Sequence, residues 1–158
     1  MTDPHPIDRS LIGTMSDPFD IEVERGAIIK FAKAIGDDNP LYHDVAHARA
    51  HGWRDVIAPP TFAVSFLPPN EPPWWSSIDR KRILAGEQSF SYVRPIMAGD
   101  GLTCRVHFIE VTEKTGRSGK MEFIVQENRG VDRENGELVF SHRRVAVYRA
   151  PDNLLPGS

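Results

Sequence analysis

The spacing of hydrophobic residues changes once along the chain. In the first half, apolar side chains recur mostly at helical intervals, and from Phe90 onward they alternate with polar ones. Residues 26–35 place their apolar side chains on one face, which predicts a helix that Gly36 ends. Asp44 is suited to cap a second, short helix that extends to about Gly52.

The segment from Ile57 to Leu67 is apolar on all sides. A helix without a polar face must be buried, because no side of it suits solvent. Pro60 falls in the first turn, where a missing N–H is harmless, and the prolines at 68–69 end the segment. We therefore predict a buried helix over residues 60–67.

Alternation of apolar and polar residues predicts strands in the second half of the chain. Glycine-rich turns link these strands, and such short links favour antiparallel hairpins. A long antiparallel sheet wrapped around a buried central helix is an α+β hotdog fold. The predicted strands are a short one at residues 19–25, one around Phe90 and Tyr92, and three at 102–108, 121–125 and 138–148. The sheet predicted to cradle the helix contains Phe90, Val106, Phe123 and Val147.

The length of the chain suits one domain. It has 158 residues, 40% of them hydrophobic, which is enough for an ordinary globular core. We predict a single hotdog domain over residues 18–150. The polar, proline-containing ends, 1–17 and 151–158, are predicted to be flexible.

Composition excludes several classes of function. The chain has 19 basic and 22 acidic residues and no basic run, so a nucleic-acid partner is not expected. It shows neither a signal-peptide pattern nor an apolar run of transmembrane length, which predicts a cytoplasmic protein without a membrane partner. The single cysteine, Cys104, alternates with apolar neighbours and is predicted to be a buried hydrophobe.

A metal site is not predicted. His43, His47 and His51 share a four-residue spacing that places ligands on one face of a helix. No zinc-protease motif accompanies them, and a solvated helix face is the favoured interpretation.

Three segments form a specific combination: FAKAIGDDNPLYHD at 31–44, VIAPPTF at 56–62, and Gly-Asp at 99–100 before a long strand. Together they resemble the MaoC-like family of R-specific enoyl-CoA hydratases and 3-hydroxyacyl dehydratases, in particular its FAS1-like dehydratase N-terminal type. The resemblance covers nearly the whole chain. It implies a hotdog fold and a lyase of fatty acid metabolism that reversibly hydrates trans-2-enoyl-CoA or enoyl-ACP to the 3-hydroxyacyl thioester, without a metal or redox cofactor.

That reaction explains why an aspartate and a histidine would share one loop. Adding water to the double bond requires a base for the water, a proton for the α carbon, and hydrogen-bond donors for the thioester oxygen. By motif position Asp37 matches the catalytic aspartate of the family, and His43 is the histidine predicted to act with it. Asn39 is predicted to orient the loop. The predicted substrate-binding residues are Asn39, Tyr42, Pro60, Thr61 and Phe62.

The chain departs from the family pattern at two positions. In R-specific hydratases the histidine directly follows Asn-Pro-Leu, whereas here Tyr42 does so and His43 comes one residue later. In an extended segment that step turns the imidazole to the opposite side unless a bulge intervenes. Pro60 stands where active relatives have a glycine N–H, so Thr61 or Phe62 must donate to the thioester oxygen.

These departures leave three functions open. The first is a hydratase or dehydratase that uses Asp37 and His43. The second, supported by Tyr42 and Pro60, is a catalytically silent subunit that binds the acyl thioester while a hotdog partner supplies the intact dyad. The third, a hotdog thioesterase, shares the fold but lacks the resemblance in this loop. An open sheet edge predicts a homodimer, with a heterodimer of two hotdog subunits as the alternative.

Several residues also have a purely structural interpretation. The loop 36–40 would on its own be explained as the end of one helix and the start of another, and the downstream segment 56–62 favours function. The three residues 142–144 (His-Arg-Arg) are predicted to face solvent rather than a phosphate. Trp74 and Trp75 are predicted to cover either the acyl channel or the dimer surface.

Overall fold

Five antiparallel strands form one sheet, in the order β1-β3-β4-β5-β2. The computed structural model describes residues 7–117 and 119–149. The strands are β1 (Phe19–Glu22), β2 (Ile83–Tyr92), β3 (Gly101–Gly116), β4 (Gly119–Asp132) and β5 (Leu138–Arg149), and the helices are α1 (Arg25–Ala34) and α2 (Val45–Ala50). Short 3₁₀ helices occupy Arg9–Leu11, Pro40–Tyr42, Phe62–Ser65, Pro73–Trp75 and Arg80–Arg82. This arrangement confirms the predicted α+β fold class.

Both predicted surface helices are present. As expected, Gly36 follows the end of α1 and Asp44 caps the start of α2. Gly36 has a φ of +72°, a left-handed conformation that glycine adopts without steric cost, and it follows the last turn of α1. The Asp44 carboxylate accepts a hydrogen bond from the backbone N–H of His47 at 3.1 Å, which caps α2. These two ends fix the loop between the helices.

The predicted central helix over residues 60–67 is wrong in type and length. Only Phe62–Ser65 is helical, as a 3₁₀ segment, and Leu67 is 57% exposed. Prolines on both sides explain the difference. The prolines at 59–60 remove two backbone donors, and Pro68 disfavours a helical conformation at the residue before it.

Aromatic contacts nevertheless bury this short segment against α1 and the sheet. The Phe62 ring packs edge-on against Phe31 and Phe66, with centroids 5.4 Å away in each case. Phe66 in turn meets Phe140 of β5 at 5.6 Å. The segment is therefore a buried plug at the concave face of the sheet.

The prediction placed the wrong face of β4 towards this plug. Ile124, Gln126 and Asn128 are buried, and Asn128 donates a hydrogen bond from Nδ2 to the carbonyl oxygen of Phe66. Because side chains alternate along a strand, Phe123 lies on the opposite face of the sheet, as does its register partner Val147. Of the four residues predicted to cradle the helix, only Phe90 and Val106 lie on the concave side.

Residues 7–17 are held against β3, so the prediction of a flexible segment over residues 1–17 is wrong for this part. Ile7 is fully buried, and the backbone N–H groups of Gly13 and Ser16 donate to Phe108 and Val106 of β3 at 2.9 and 2.8 Å. Residues 1–6 and the predicted tail 151–158 lie outside the described residues.

The edge strand β2 pairs with β5 alone among the described residues. Its other side presents backbone donors and acceptors, and the apolar side chains of Leu84 and Val93 are 67% and 72% exposed. Cys104 is buried as predicted, and burial raises the pKa of its thiol to about 12. Within the described part of the chain, none of the helices has the length and apolar character to span a membrane.

Candidate functional site

Side-chain hydrogen bonds to backbone N–H groups build the loop that contains the predicted catalytic residues. The Asp37 carboxylate accepts from the N–H of Asn39 at 3.1 Å, and the Asn39 side chain accepts from the N–H of Leu41 at 3.1 Å. Such turns are what short Asp and Asn side chains favour. They set the direction of the 3₁₀ turn Pro40–Tyr42 and of the residues after it.

The structure brings His43 to Asp37, but to its backbone rather than to its carboxylate. His43 Nε2 lies 2.7 Å from the carbonyl oxygen of Asp37. A carbonyl oxygen only accepts, so Nε2 must carry the proton and donate it, which leaves Nδ1 as the acceptor of the neutral ring. The imidazole therefore links the two ends of the loop 37–43 through a hydrogen bond within the loop.

Tyr42 occupies the interior position next to Asp37. Its side chain is buried, and burial, followed by the negative charge of Asp37, raises the pKa of the phenol, while a hydrogen bond with Asn39 opposes the shift. A phenol with a raised pKa is a poor base at neutral pH. The one-residue shift in the motif thus replaces an inward imidazole by an inward phenol.

Of the backbone N–H groups predicted to donate to the thioester oxygen, one is still available. Pro60 has no N–H, and its carbonyl oxygen accepts a hydrogen bond from the Tyr92 hydroxyl. The N–H of Phe62 donates to Pro59 at 3.0 Å, so the N–H of Thr61, an exposed residue, is the candidate donor. A 3₁₀ segment of four residues contributes little dipole to support it.

A cleft of about 390 Å³ lies elsewhere, between residues 66–83 and the concave surfaces of β2, β4 and β5. Within the described residues, its wall contains none of the seven predicted site residues. Phe66 links the two regions, because it lines the cleft and also packs on Phe62. The apolar wall includes Phe66, Leu67, Trp75, Ile83, Val106 and Ala146, and the polar wall includes Gln88, Gln126, Asn128 and Arg144.

Trp74 and Trp75 are both held at the cleft by hydrogen bonds. The indole N–H groups of Trp74 and Trp75 both donate to Gln126 Oε1, at 3.2 and 3.0 Å. Trp74 is fully buried and stacks on Phe108, whereas Trp75 lines the cleft. The choice between the acyl channel and the dimer surface stays a prediction, and the structure places Trp75 in the wall of this cleft.

His142 is buried, so the prediction that it faces solvent is wrong. Its ring stacks on Phe90 with centroids 4.3 Å apart, and its Nε2 lies 2.8 Å from Gln88 Oε1. Gln126 and Asn128, which also line the cleft, are not among the residues predicted from the sequence. The one signal for them was a run of four polar residues, 126–129, within a strand that is central in the sheet.

We expect the stability of the protein to fall as the pH decreases from about 6.5 to about 4, because of His142. Burial, and then the charge of Arg144, lower the pKa of His142 to about 4, so the folded protein keeps the ring neutral while the unfolded chain binds a proton. The loss should reach about 3 kcal/mol near the lower limit. Urea denaturation of His142→Phe, which preserves a ring against Phe90, should lack this component, and His51→Phe at an exposed position should retain it.

The three histidines with four-residue spacing do not converge. His43 is turned towards Asp37, and His51 Nδ1 lies 2.9 Å from the carbonyl oxygen of His47, with the two rings 4.3 Å apart. In the described ranges, no three His, Cys, Asp or Glu side chains are grouped so that they would hold a metal ion.

Comparison with known proteins identifies the family of the chain. The model of the family described as "FAS1-like, dehydratase domain region" matches residues 10–142. The chain belongs to this family. A UPF0336 protein from Streptomyces griseus is 38% identical to this chain over 153 residues, which cover 92% of the chain and 97% of that protein.

Solved structures confirm the hotdog fold and the MaoC-like relationship. The HadBC (3R-hydroxyacyl-ACP dehydratase) complex from Mycobacterium tuberculosis superposes with a TM-score of 0.70 at 24% identity, covering 87% of this chain and 96% of that one. A MaoC-like dehydratase superposes with a TM-score of 0.74 at 25% identity, covering 94% of this chain and 45% of the other.

Proposed function

We propose that this member of the FAS1-like dehydratase family is the acyl-thioester-binding subunit of a hotdog enzyme that hydrates trans-2-enoyl thioesters or dehydrates 3-hydroxyacyl thioesters. The family supports the reaction class. One observation supports assigning the catalytic groups to a partner subunit. Tyr42 points inward beside Asp37, at the position where an active hydratase requires an imidazole.

The proton-transfer groups in the loop are already engaged. His43 donates from Nε2 to the Asp37 carbonyl, and one oxygen of the Asp37 carboxylate accepts from the N–H of Asn39. Tyr42, with its raised pKa, does not replace a base. A water activated between an aspartate and a histidine therefore needs groups from elsewhere.

The cleft supplies what an acyl-binding subunit needs. Its volume of about 390 Å³ is in the range of small-molecule sites, and most of its wall is apolar. Trp75 and Phe66 provide large flat surfaces for a hydrocarbon chain, and Val106 of β3 lines the same cleft. An acyl chain would bury apolar surface here without displacing the core.

The edge strand β2 is the surface that suits a hotdog partner. Among the described residues, the side of β2 away from β5 pairs with no strand, Leu84 of β2 and Val93 just after it are exposed, and an edge of this kind pairs readily with another strand. The HadBC dehydratase, which shares the fold, is a complex. A partner with an intact histidine at the Asn-Pro-Leu element would complete the site, whereas a second copy of this chain would form a homodimer with two incomplete ones.

The second candidate is a self-sufficient hydratase that uses Asp37 and His43. It is favoured by one contact, because the 2.7 Å hydrogen bond fixes the His43 ring in the same loop as Asp37 and leaves Nδ1 as an acceptor. In this case a homodimer of the chain would be sufficient for turnover.

Binding of an acyl thioester to the purified protein tests the proposal. Titration with octanoyl-CoA should quench the fluorescence of Trp75 in a saturable manner, since this side chain lines the cleft. In the Trp75→Phe variant, octanoyl-CoA should cause little fluorescence quenching, while calorimetry should still detect binding. Absence of binding to the protein, alone and with a hotdog partner, would contradict the proposal, and release of free CoA would support a thioesterase instead.

A further inference from the structure

Two rows of polar side chains cross the concave face of the sheet at the cleft. Gln126 of β4, Arg144 of β5 and Gln88 of β2 are register partners and form the first row. Asn128 and His142, also register partners, lie in the second. Polar rows on the inner face of a sheet are unusual because each group must find a partner away from water.

Most of these groups are satisfied within the protein. Gln126 Oε1 accepts hydrogen bonds from the indoles of Trp74 and Trp75. The His142 ring is hydrogen-bonded to the side chain of Gln88. Asn128 is 4% exposed and donates from Nδ2 to the carbonyl oxygen of Phe66, but its Oδ1 has no hydrogen-bond partner among the described residues. Exchanging the amide atoms would not help, because the Phe66 carbonyl requires a donor.

Arg144 is a cation without a counterion in the described part of the chain. Arg144 lines the cleft and is half-buried, and burial lowers the pKa of its guanidinium. The two acids in the cleft wall do not pair with it. Glu71 is bonded to Arg80, and Glu87 lies in register with Val145 rather than with Arg144.

An unpaired guanidinium and an unpaired amide oxygen in one cleft indicate a ligand with complementary groups. A guanidinium presents a planar fork of N–H donors that fits a carboxylate through two parallel hydrogen bonds. The Asn128 oxygen would accept from a hydroxyl or an amide N–H. The rest of the wall is largely apolar, which suits a hydrocarbon chain between such groups.

We propose that the cleft takes an acyl chain ending in a carboxylate, so that the substrates are monothioesters of dicarboxylic acids and Arg144 selects them. Asn128 Oδ1 accepts a hydrogen bond from a hydroxyl or amide N–H of the same molecule. This inference rests on the proposed function, because it takes the cleft as the acyl site.

Binding of two matched thioesters tests the inference by calorimetry. The probes are the N-acetylcysteamine thioesters of octanedioic acid and of octanoic acid, which differ at the far end of the chain and carry no phosphate. The wild-type protein should bind the carboxylate-ended thioester at least about tenfold more tightly. Arg144→Met should abolish this preference, and Arg144→Lys, which retains the charge without the fork, should reduce it.

Controls separate this role from a structural one. Arg143→Met, at the neighbouring position on the opposite face, removes a cation whose guanidinium is 3.4 Å from Glu110, and it should leave the preference unchanged. Arg144→Met should fold and melt about 2–4 °C higher, because it removes an unpaired, partly buried charge.

The remaining outcomes are distinct. Equal binding of the two thioesters by the wild type would overturn the inference and leave the proposed function intact, and so would binding of octanoyl-CoA but of neither N-acetylcysteamine thioester. Failure to bind any of the three thioesters, alone and with a hotdog partner, would overturn both. Tighter binding of CoA than of N-acetylcysteamine thioesters, lost in Arg144→Met, would assign the guanidinium to the carrier phosphate and overturn the carboxylate.

Discussion

Phe62→Ala should lower the free energy of unfolding by about 3–5 kcal/mol, the range for removing an enclosed phenylalanine. The ring is buried and packs edge-on against Phe31 and Phe66. Prolines at both ends restrict the backbone of the segment, so it cannot easily collapse into the cavity. Urea denaturation followed by circular dichroism measures the loss.

Leu67→Ala is the matched control, because Leu67 lies in the same apolar segment but is 57% exposed. Its effect should stay within about 0.5 kcal/mol. Similar losses in the two variants would show that the segment is enclosed along its whole length, as in the continuous buried helix that the sequence predicts. A loss for Phe62→Ala below about 1 kcal/mol would contradict the buried plug.

The spacing of apolar residues predicted the elements that depend on one exposed face and one buried face. α1 and α2 lie close to their predicted positions for this reason, and each long strand contains its predicted segment. β2, β3 and β4 extend well beyond the segments in which apolar and polar residues alternate, and only β5 has its predicted bounds to within one residue. The segment 57–67 has no polar face, and its periodicity therefore did not distinguish a helix from a shorter turn. The prolines at its two ends determined the outcome, and their combined effect depends on tertiary packing.

The concave face of β4 was beyond prediction for a different reason. Alternation assigns the apolar residue Phe123 to the core, yet Gln126 and Asn128 point inward and meet the tryptophans and Phe66. Polar residues are placed against the hydrophobic pattern mostly where a site requires them. A failed alternation was therefore a sign of the cleft, although the sequence contains no indication of what the cleft binds.

The loop 36–43 was partly predictable. The motif indicated that moving the histidine from position 42 to position 43 would separate its side chain from the Asp37 carboxylate. The structure places Tyr42 inward instead. The acceptor of His43 was not predictable, because the Asp37 carbonyl is brought to the ring by the turns at Asp37 and Asn39. The roles of these residues in catalysis stay predictions.

Coexpression with a hotdog subunit whose histidine directly follows Asn-Pro-Leu should raise the turnover of trans-2-octenoyl-CoA by about 10²–10⁴ over the lone protein. This is the range for supplying a missing proton-transfer group. The lone protein should bind the thioester and convert it at a rate close to background, since Tyr42 is the inward residue. Loss of absorbance from the conjugated thioester measures hydration, and the partner alone is the required control.

Variants of the loop then decide which subunit performs the chemistry. In the complex, His43→Ala and Tyr42→Phe should each change turnover by less than about threefold, because neither group is expected to exchange protons with substrate. If His43 and Asp37 form a working pair instead, the lone protein should already be active, and His43→Ala and Asp37→Ala should each lower its turnover by about 10²–10⁴ with little change in melting temperature. That result would contradict the catalytically silent, acyl-binding role, because the lone protein would then supply its own base, with Nδ1 of His43 accepting the proton while Nε2 donates to the Asp37 carbonyl.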